Sequence, residues 1–154
     1  MKKFELTSET KINVFGKKLF RIKALISFGN VEAGETGGWV EKEENVNQYG
    51  NAWVSGNAEV YGNAEVSGNA WVYGNAEVSG NADYTTIQGF GTQFRTTTFF
   101  RCKDKAVRVS CGCFFGTIPE FREQVKNTRK SKIAEEYLMI ADLMEKHFEV
   151  ENNE

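Results

Sequence analysis

From Gly50 to Ala82 the chain repeats one six-residue phrase, Gly-Asn-Ala-x-Val-x, reading GNAWVS, GNAEVY, GNAEVS, GNAWVY and GNAEVS before it breaks at GNADYT. A period this short excludes helical repeats and fits one brief strand plus one corner per unit. Ala and Val stand two apart, so on an extended segment both project to the same side. Ala52 with Val54, Ala58 with Val60, Ala64 with Val66, Ala70 with Val72 and Ala76 with Val78 are therefore expected to fill an interior. Trp53, Glu59, Glu65, Trp71 and Glu77, which lie between them, are expected to face outward, as are the residues after each Val, including Tyr61 and Tyr73. Gly-Asn supplies the corner, because these two residues reach left-handed backbone angles at the lowest cost.

Three such units close a triangular coil of 18 residues. Stacking at about 4.8 Å per coil places Trp53 under Trp71, Glu59 under Glu77 and Glu65 under Asp83. It also aligns Asn51 with Asn69, Asn57 with Asn75 and Asn63 with Asn81 as amide ladders. Val40 and Val46 keep the step of six but Val46 to Val54 is eight, which requires a two-residue bulge near Asn47, Gln48 and Tyr49.

This periodicity resembles the hexapeptide-repeat family, the left-handed parallel β-helix of many bacterial acyltransferases and γ-class carbonic anhydrases, from about Gly38 to Tyr84. The resemblance implies a mainly β fold: a short left-handed parallel β-helix with an N-terminal β-hairpin cap and a C-terminal β-hairpin plus two α-helices. The corresponding segments are an N-terminal cap over 1–37, the repeats over 38–84 and a C-terminal module over 85–154.

In the flanks, Lys11 to Phe15, a Gly16-Lys17 turn and Leu19 to Ala24 read as a hairpin. Gln93 to Arg101 and Ala106 to Cys113 read as two further strands, with Val107, Val109, Cys111 and Cys113 on one face. Thr117-Ile118-Pro119-Glu120 has the grammar of a helix start, a capping Thr with Glu three positions on and Pro in the first turn. Ile118, Phe121 and Val125 share a face of that helix. A second helix begins near Ser131 with Ile133, Tyr137, Ile140, Ala141, Met144 and Phe148 as its apolar stripe. The tail Glu149 to Glu154 is polar and reads as frayed.

At 154 residues the chain is expected to be one compact unit, with a net charge of −2 that is unevenly spread. Residues 1–29 carry +5, residues 30–84 carry −8 and residues 85–154 carry +1. Such asymmetry shapes encounters with charged partners. No secretory-signal pattern, bilayer-spanning apolar run or lipidation motif stands out. Cys102, Cys111 and Cys113 are odd in number and clustered, so they read as packed thiols rather than a disulfide framework or metal site, and a reducing bacterial cytoplasm is the expected compartment.

The family's acyltransferases use a histidine base beside the repeats and its carbonic anhydrases need three histidines for zinc. The one histidine here, His147, lies in the last helix, so a non-enzymatic protein without cofactor or metal is expected. Trp53 and Trp71 with Tyr61 and Tyr73 form a candidate aromatic contact surface for a partner or for dimer or trimer formation. Glu59, Glu77, Glu65 and Asp83 form candidate acidic rows for a partner, and as carboxylates they read as solvated faces rather than acid–base pairs. Arg95, Arg101, Lys103, Lys105 and Arg108, interleaved with Phe94, Phe99 and Phe100, are a candidate site for an anion, a nucleotide or a single-stranded nucleic acid. The order of basic cap, GNA hexads and an FRTTTFFR…CGCFFGTIPEF module resembles small prophage-encoded proteins of Gram-positive bacteria. That resemblance implies a phage interaction protein with a host protein as partner, and a role in inhibiting a host defence system such as a CRISPR effector. Oligomeric sequestering of a nucleotide or small anion is the alternative.

Overall fold

The structure is a computed structural model and describes residues 2–148. The polar tail expected from Glu149 lies outside the described residues. Eleven strands are arranged in three sheets, followed by two helices. β1 (Phe4–Ile12), β2 (Lys18–Ala24), β3 (Thr36–Val40), β5 (Glu59–Val60) and β7 (Glu77–Val78) form one sheet in the order β1-β2-β3-β5-β7. β4 (Trp53–Val54) pairs only with β6 (Trp71–Val72). β8 (Tyr84–Phe90), β9 (Arg95–Arg101), β10 (Val107–Cys111) and β11 (Phe114–Thr117) form an antiparallel meander that leads into α1 (Ile118–Thr128) and α2 (Ser131–Phe148).

The expected fold class, a left-handed parallel β-helix with a separate hairpin at each end, is corrected by this topology. The sheets are mixed, parallel and antiparallel, and most strand residues lie in antiparallel ladders. The physical reason is strand length. Each hexad contributes a strand of two residues at most, and the third row is reduced to a single bridge between Val46 and Val66. The N-terminal hairpin pairs directly onto the first repeat strand, Arg21 opposite Trp39, so it extends the sheet instead of capping it. At the other end the repeat ends in a 3-10 turn at Asn81–Asp83, so Asp83 does not stack on Glu65. The module after it has four strands, not the two read from the sequence.

Several local expectations hold inside this different frame. Trp53 pairs in parallel with Trp71 and Glu59 with Glu77, whereas Trp39 pairs with Glu59 and Val46 with Val66, the register lengthened by the two-residue excess near Asn47. All ten Ala and Val side chains of the hexads are buried. The corner glycines from Gly50 to Gly74 all have positive φ, and at Gly62 (φ +64°) a Cβ would stand 2.6 Å from the Ser79 carbonyl oxygen. Of the expected amide ladders, Asn51 donates to Asn69 Oδ1 at 3.4 Å. Asn75 instead takes the Arg108 guanidinium.

Two cores result. The first joins the hexad Ala and Val residues to Phe4, Ile22, Trp53 and Phe100. The second packs Phe99 and Val109 against Phe121, Tyr137, Ile140 and Met144 of the helices. Adjacent residues on a strand face opposite ways, so Phe99 and Phe100 make β9 the partition between the two cores. The helix-start reading is met: Thr117 Oγ1 accepts from the Glu120 N–H at 3.3 Å and Glu120 Oε1 accepts from the Thr117 N–H at 2.8 Å.

Unpaired backbone at the open sides of the repeats invites edge association unless it is covered. On one side Thr98 Oγ1 accepts from the Trp71 N–H at 3.2 Å, and the Ser110 hydroxyl donates to the Trp71 carbonyl at 2.8 Å. The Lys103 N–H donates to the Asn75 carbonyl at 3.0 Å. On the other side the Lys3 ammonium donates to the carbonyls of Ala52 at 2.8 Å and Gly50 at 3.3 Å. Gln48 brackets Lys3 and Phe4, accepting from the Lys3 N–H at 2.7 Å and donating to the Phe4 carbonyl at 3.2 Å. Among the described residues no helix is long and apolar enough to cross a membrane.

Candidate functional site

Several outward positions of the hexads are covered by the chain itself, Trp53, Glu59 and Tyr61 among them. Trp53 is only 1% exposed, enclosed by the Phe28 ring at 5.3 Å and the Phe4 ring at 6.1 Å. Trp39 is sandwiched by the Lys11 ammonium at 4.7 Å and the Arg21 guanidinium at 4.4 Å. Trp71 keeps part of its surface, lying 5.0 Å from the Tyr73 ring, which in turn meets Phe115 at 4.4 Å. The tryptophans thus do not form the free aromatic column that alternation alone suggested; flanking segments fold back over them.

Glu59 is the second departure from the outward expectation. Its side chain is 5% exposed and its Oε2 accepts from the Lys11 ammonium at 2.8 Å and the Lys103 ammonium at 3.0 Å. Oε1 accepts from Asn13 Nδ2 at 3.4 Å. Burial raises the cost of ionising this carboxyl, but the two ammonium groups outweigh it and hold the carboxyl below the usual carboxylate range. One carboxylate thereby ties three parts of the chain together: the N-terminal hairpin, the repeat and the loop before β10. Its stacked neighbour Glu77 accepts from the Tyr61 hydroxyl at 2.9 Å, and burial together with that bond pushes the Tyr61 phenol well above its ordinary value. Glu65 remains exposed, with Asn47 Nδ2 at 3.5 Å and its own N–H donating to Asn81 Oδ1 at 2.9 Å. Asp83 pairs with Arg101 at 3.2 Å.

The charge asymmetry of the sequence is spent largely within the molecule. Besides Lys11 on Glu59, Lys2 pairs with Glu43 at 2.9 Å and Lys17 approaches Glu41 at 3.9 Å, so the basic N-terminal segment neutralises the acidic repeat. The basic residues of the C-terminal module converge only in part: Arg101 and Lys105 line one cleft, and Lys103 and Lys105 share a second hollow. Arg108 makes two bonds to Asp104, each 2.9 Å, which hold the Asp104 carboxyl down to about 2, while Lys103 is committed to Glu59. Lys105 and Arg95 are exposed but line different cavities. Phe99 and Phe100 are core residues, leaving Phe94 as the exposed member of the expected stacking set. Cys102 is buried and its thiol is pushed up by that burial, but strand β10 ends at Cys111, and Cys113 is exposed in the turn to β11. Among the described residues no group of three or more His, Cys, Asp or Glu stands together to hold a metal ion.

The most exposed apolar group is one that the repeat did not announce, the tip of the β1–β2 hairpin. Val14 is 91% exposed and Ile12 and Phe15 are each 64% exposed. This tip is built, not loose. Asn13 Oδ1 accepts from the N–H groups of Phe15 at 2.9 Å and Lys17 at 3.0 Å, and the Asn13 N–H donates to the Lys17 carbonyl at 2.9 Å. Asn closes turns of this kind by satisfying backbone donors from its side chain. The same Asn13 amide reaches Glu59, so the tip is anchored to the clasp beneath it. Behind the tip, Phe15 lies 6.4 Å from the Tyr61 ring and borders a cleft of about 780 Å³ shared with Glu77, Asp83, Arg101 and Phe148. A neighbouring hollow of about 400 Å³ runs along Lys11, Val14, Glu59 and Lys103.

The first strand of this hairpin, expected over Lys11 to Phe15, runs instead over Phe4–Ile12, so Val14 and Phe15 fall in the turn. The available signal was Val-Phe before Gly16, two large apolar residues where a turn normally carries polar ones. The chain matches no protein-family model and no curated protein.

Proposed function

We propose that this chain is a non-enzymatic binding protein that engages a macromolecular partner through the β1–β2 hairpin tip and the cleft behind it. The observation that carries this reading is the exposure of Val14 and Phe15 on a turn whose backbone is held by Asn13. Large exposed apolar side chains carried on a hydrogen-bonded turn are favourable contact anchors, because little backbone freedom remains to be lost on binding. A binding role is favoured over a catalytic one by the state of the carboxylates near the cleft: Glu59 is neutralised by two lysines and Glu77 holds a phenol. The narrower role of a phage protein acting on a host defence effector in the bacterial cytoplasm comes from the resemblance of the sequence alone.

The test is paired affinity capture from bacterial lysate, with and without nuclease, using the unaltered chain and a Val14→Ser/Phe15→Ser variant. Both side chains face solvent, so the variant keeps its fold, checked by circular dichroism. The reading expects a protein captured in both nuclease arms and lost with the variant. If the partner is a second copy, the solution mass exceeds the 17.4 kDa monomer and returns to it in the variant. Identical captures and identical masses for the two chains would overturn the reading.

A further inference from the structure

Apart from the cleft behind the hairpin tip, a groove of about 660 Å³ runs between Trp71, Tyr73, Asn51, Asn69, Gln88 and Arg95. Its volume falls inside the range of roughly 300–1,000 Å³ found for small-molecule pockets. The binding surface proposed above uses none of these residues. We propose that this groove binds a planar aromatic anion of nucleotide size, a nucleoside monophosphate being the simplest member of the class.

The groove has the three chemical parts such a ligand requires. Its floor is aromatic: Trp71 and Tyr73 lie 5.0 Å apart at an interplanar angle of 32°, and Phe115 continues the run behind Tyr73. A heterocyclic base stacks on faces of this kind with little regard to its identity. At the rim stands Arg95, exposed, its guanidinium without a hydrogen bond or ion pair among the described residues. It differs in this from Arg108 and Lys103, which are held by Asp104 and Glu59. Gly112, at φ +58°, lets the Arg95 guanidinium lie across the β10–β11 turn, where a Cβ would collide with it. A guanidinium so placed offers paired N–H donors that match a phosphate.

The third part is the amide wall. Asn51 and Asn69 bond one another and, with Gln88, present donors and acceptors to the polar edges of a base or ribose. Trp53 lies behind this wall, 1% exposed and enclosed by Phe4 and Phe28, so the half-buried Trp71 is the indole a ligand would meet.

Adenosine monophosphate is the probe, titrated into the full chain and followed by calorimetry and by tryptophan fluorescence. Adenosine (ring without anion) and ribose 5-phosphate (anion without ring) separate the two halves of the claim. The expected result is saturable, submillimolar binding with quenching of tryptophan emission, at least about tenfold tighter than either half-ligand. Arg95→Glu, a change at an exposed side chain, is expected to weaken it at least about tenfold while leaving thermal unfolding unaltered. Tyr73→Leu serves as the second variant and is expected to weaken adenosine and the monophosphate alike. No saturable binding of adenosine, guanosine, cytidine or uridine monophosphate, or binding indifferent to Arg95→Glu, would overturn the proposal. So would binding confined to single-stranded oligonucleotides.

Discussion

Glu59→Gln is the substitution on which the account makes its sharpest claim about how the parts of this chain are held together. Glutamine keeps the shape of the side chain and removes its charge, leaving the ammonium groups of Lys11 and Lys103, which now lie 2.8 and 3.0 Å from one carboxylate oxygen, facing each other without a counter-charge. Removing one member of a buried ion pair costs about 3–5 kcal/mol. Here the two lysine side chains are 33% and 37% exposed and can swing toward water, so the lower part of that range applies, on the order of 3 kcal/mol. For a chain of this size that corresponds to a fall in Tm of about 6–12 °C by calorimetry. The carboxyl is held below its ordinary value in the folded protein, so its contribution is fully present above the unfolded value near 4.5 and is lost as pH falls through the folded value. The difference between the two proteins is therefore expected to be constant from pH 6 to 8, in keeping with about 3 kcal/mol, and to shrink in acid. Because Asn13 also bonds Glu59, the hairpin-tip amides of Phe15 and Lys17 should exchange faster with solvent in the variant. A loss below about 1 kcal/mol at pH 7, as for an ordinary surface pair, would refute the reasoning.

Other substitutions test separate parts of the structure. Burial pushes the Lys3 ammonium down to about 8 from an ordinary 10.5, so the unfolded chain holds more protons between those values and this group's contribution to stability rises with pH across that window. In denaturant titrations the stability of the unaltered chain relative to Lys3→Met should rise from pH 7 to 10 by more than about 1 kcal/mol, and a constant difference would contradict it. Thr98→Val keeps the volume but takes away the acceptor of the Trp71 N–H, at an expected cost of about 1–3 kcal/mol in chemical unfolding. Gly62→Ala forces a side chain into a left-handed position against the Ser79 carbonyl and should cost about 1–3 kcal/mol. Gly80→Ala, at φ −161° with nothing near its Cβ, should change stability by less than about 0.5 kcal/mol.

The hexads were legible in the sequence at the level of single residues. Strand alternation places every Ala and Val of the repeat inside, and the corner glycines take the positive φ their positions require. The second helix begins at Ser131 as its apolar stripe indicates, and Thr117 and Glu120 form the expected capping box. What the repeat could not disclose was how the flanks use its outer faces. Alternation says that Trp53 and Glu59 leave the interior; only tertiary folding brings Phe4, Phe28, Lys11 and Lys103 over them. The opposite charges of the first two segments were a signal of that closure, readable as intramolecular docking as well as attraction to another molecule. Tyr84–Phe90 went unread as a strand because its Thr, Gln and Gly residues lack apolar alternation, and its pairing with β9 supplies the order. The return strand of the hairpin was legible, whereas the position of its turn depended on Asn13, whose side chain takes the backbone N–H groups of Phe15 and Lys17.

Site-specific photo-crosslinking tests the central claim most directly. A photoreactive phenylalanine analogue placed at Val14 is compared with the same analogue at Glu32, an exposed position away from the hairpin tip. In bacterial lysate the account expects a discrete adduct from position 14, suppressed by excess unaltered chain, and none from position 32. No adduct at position 14, or equal adducts at both positions, would contradict the hairpin tip as the working surface.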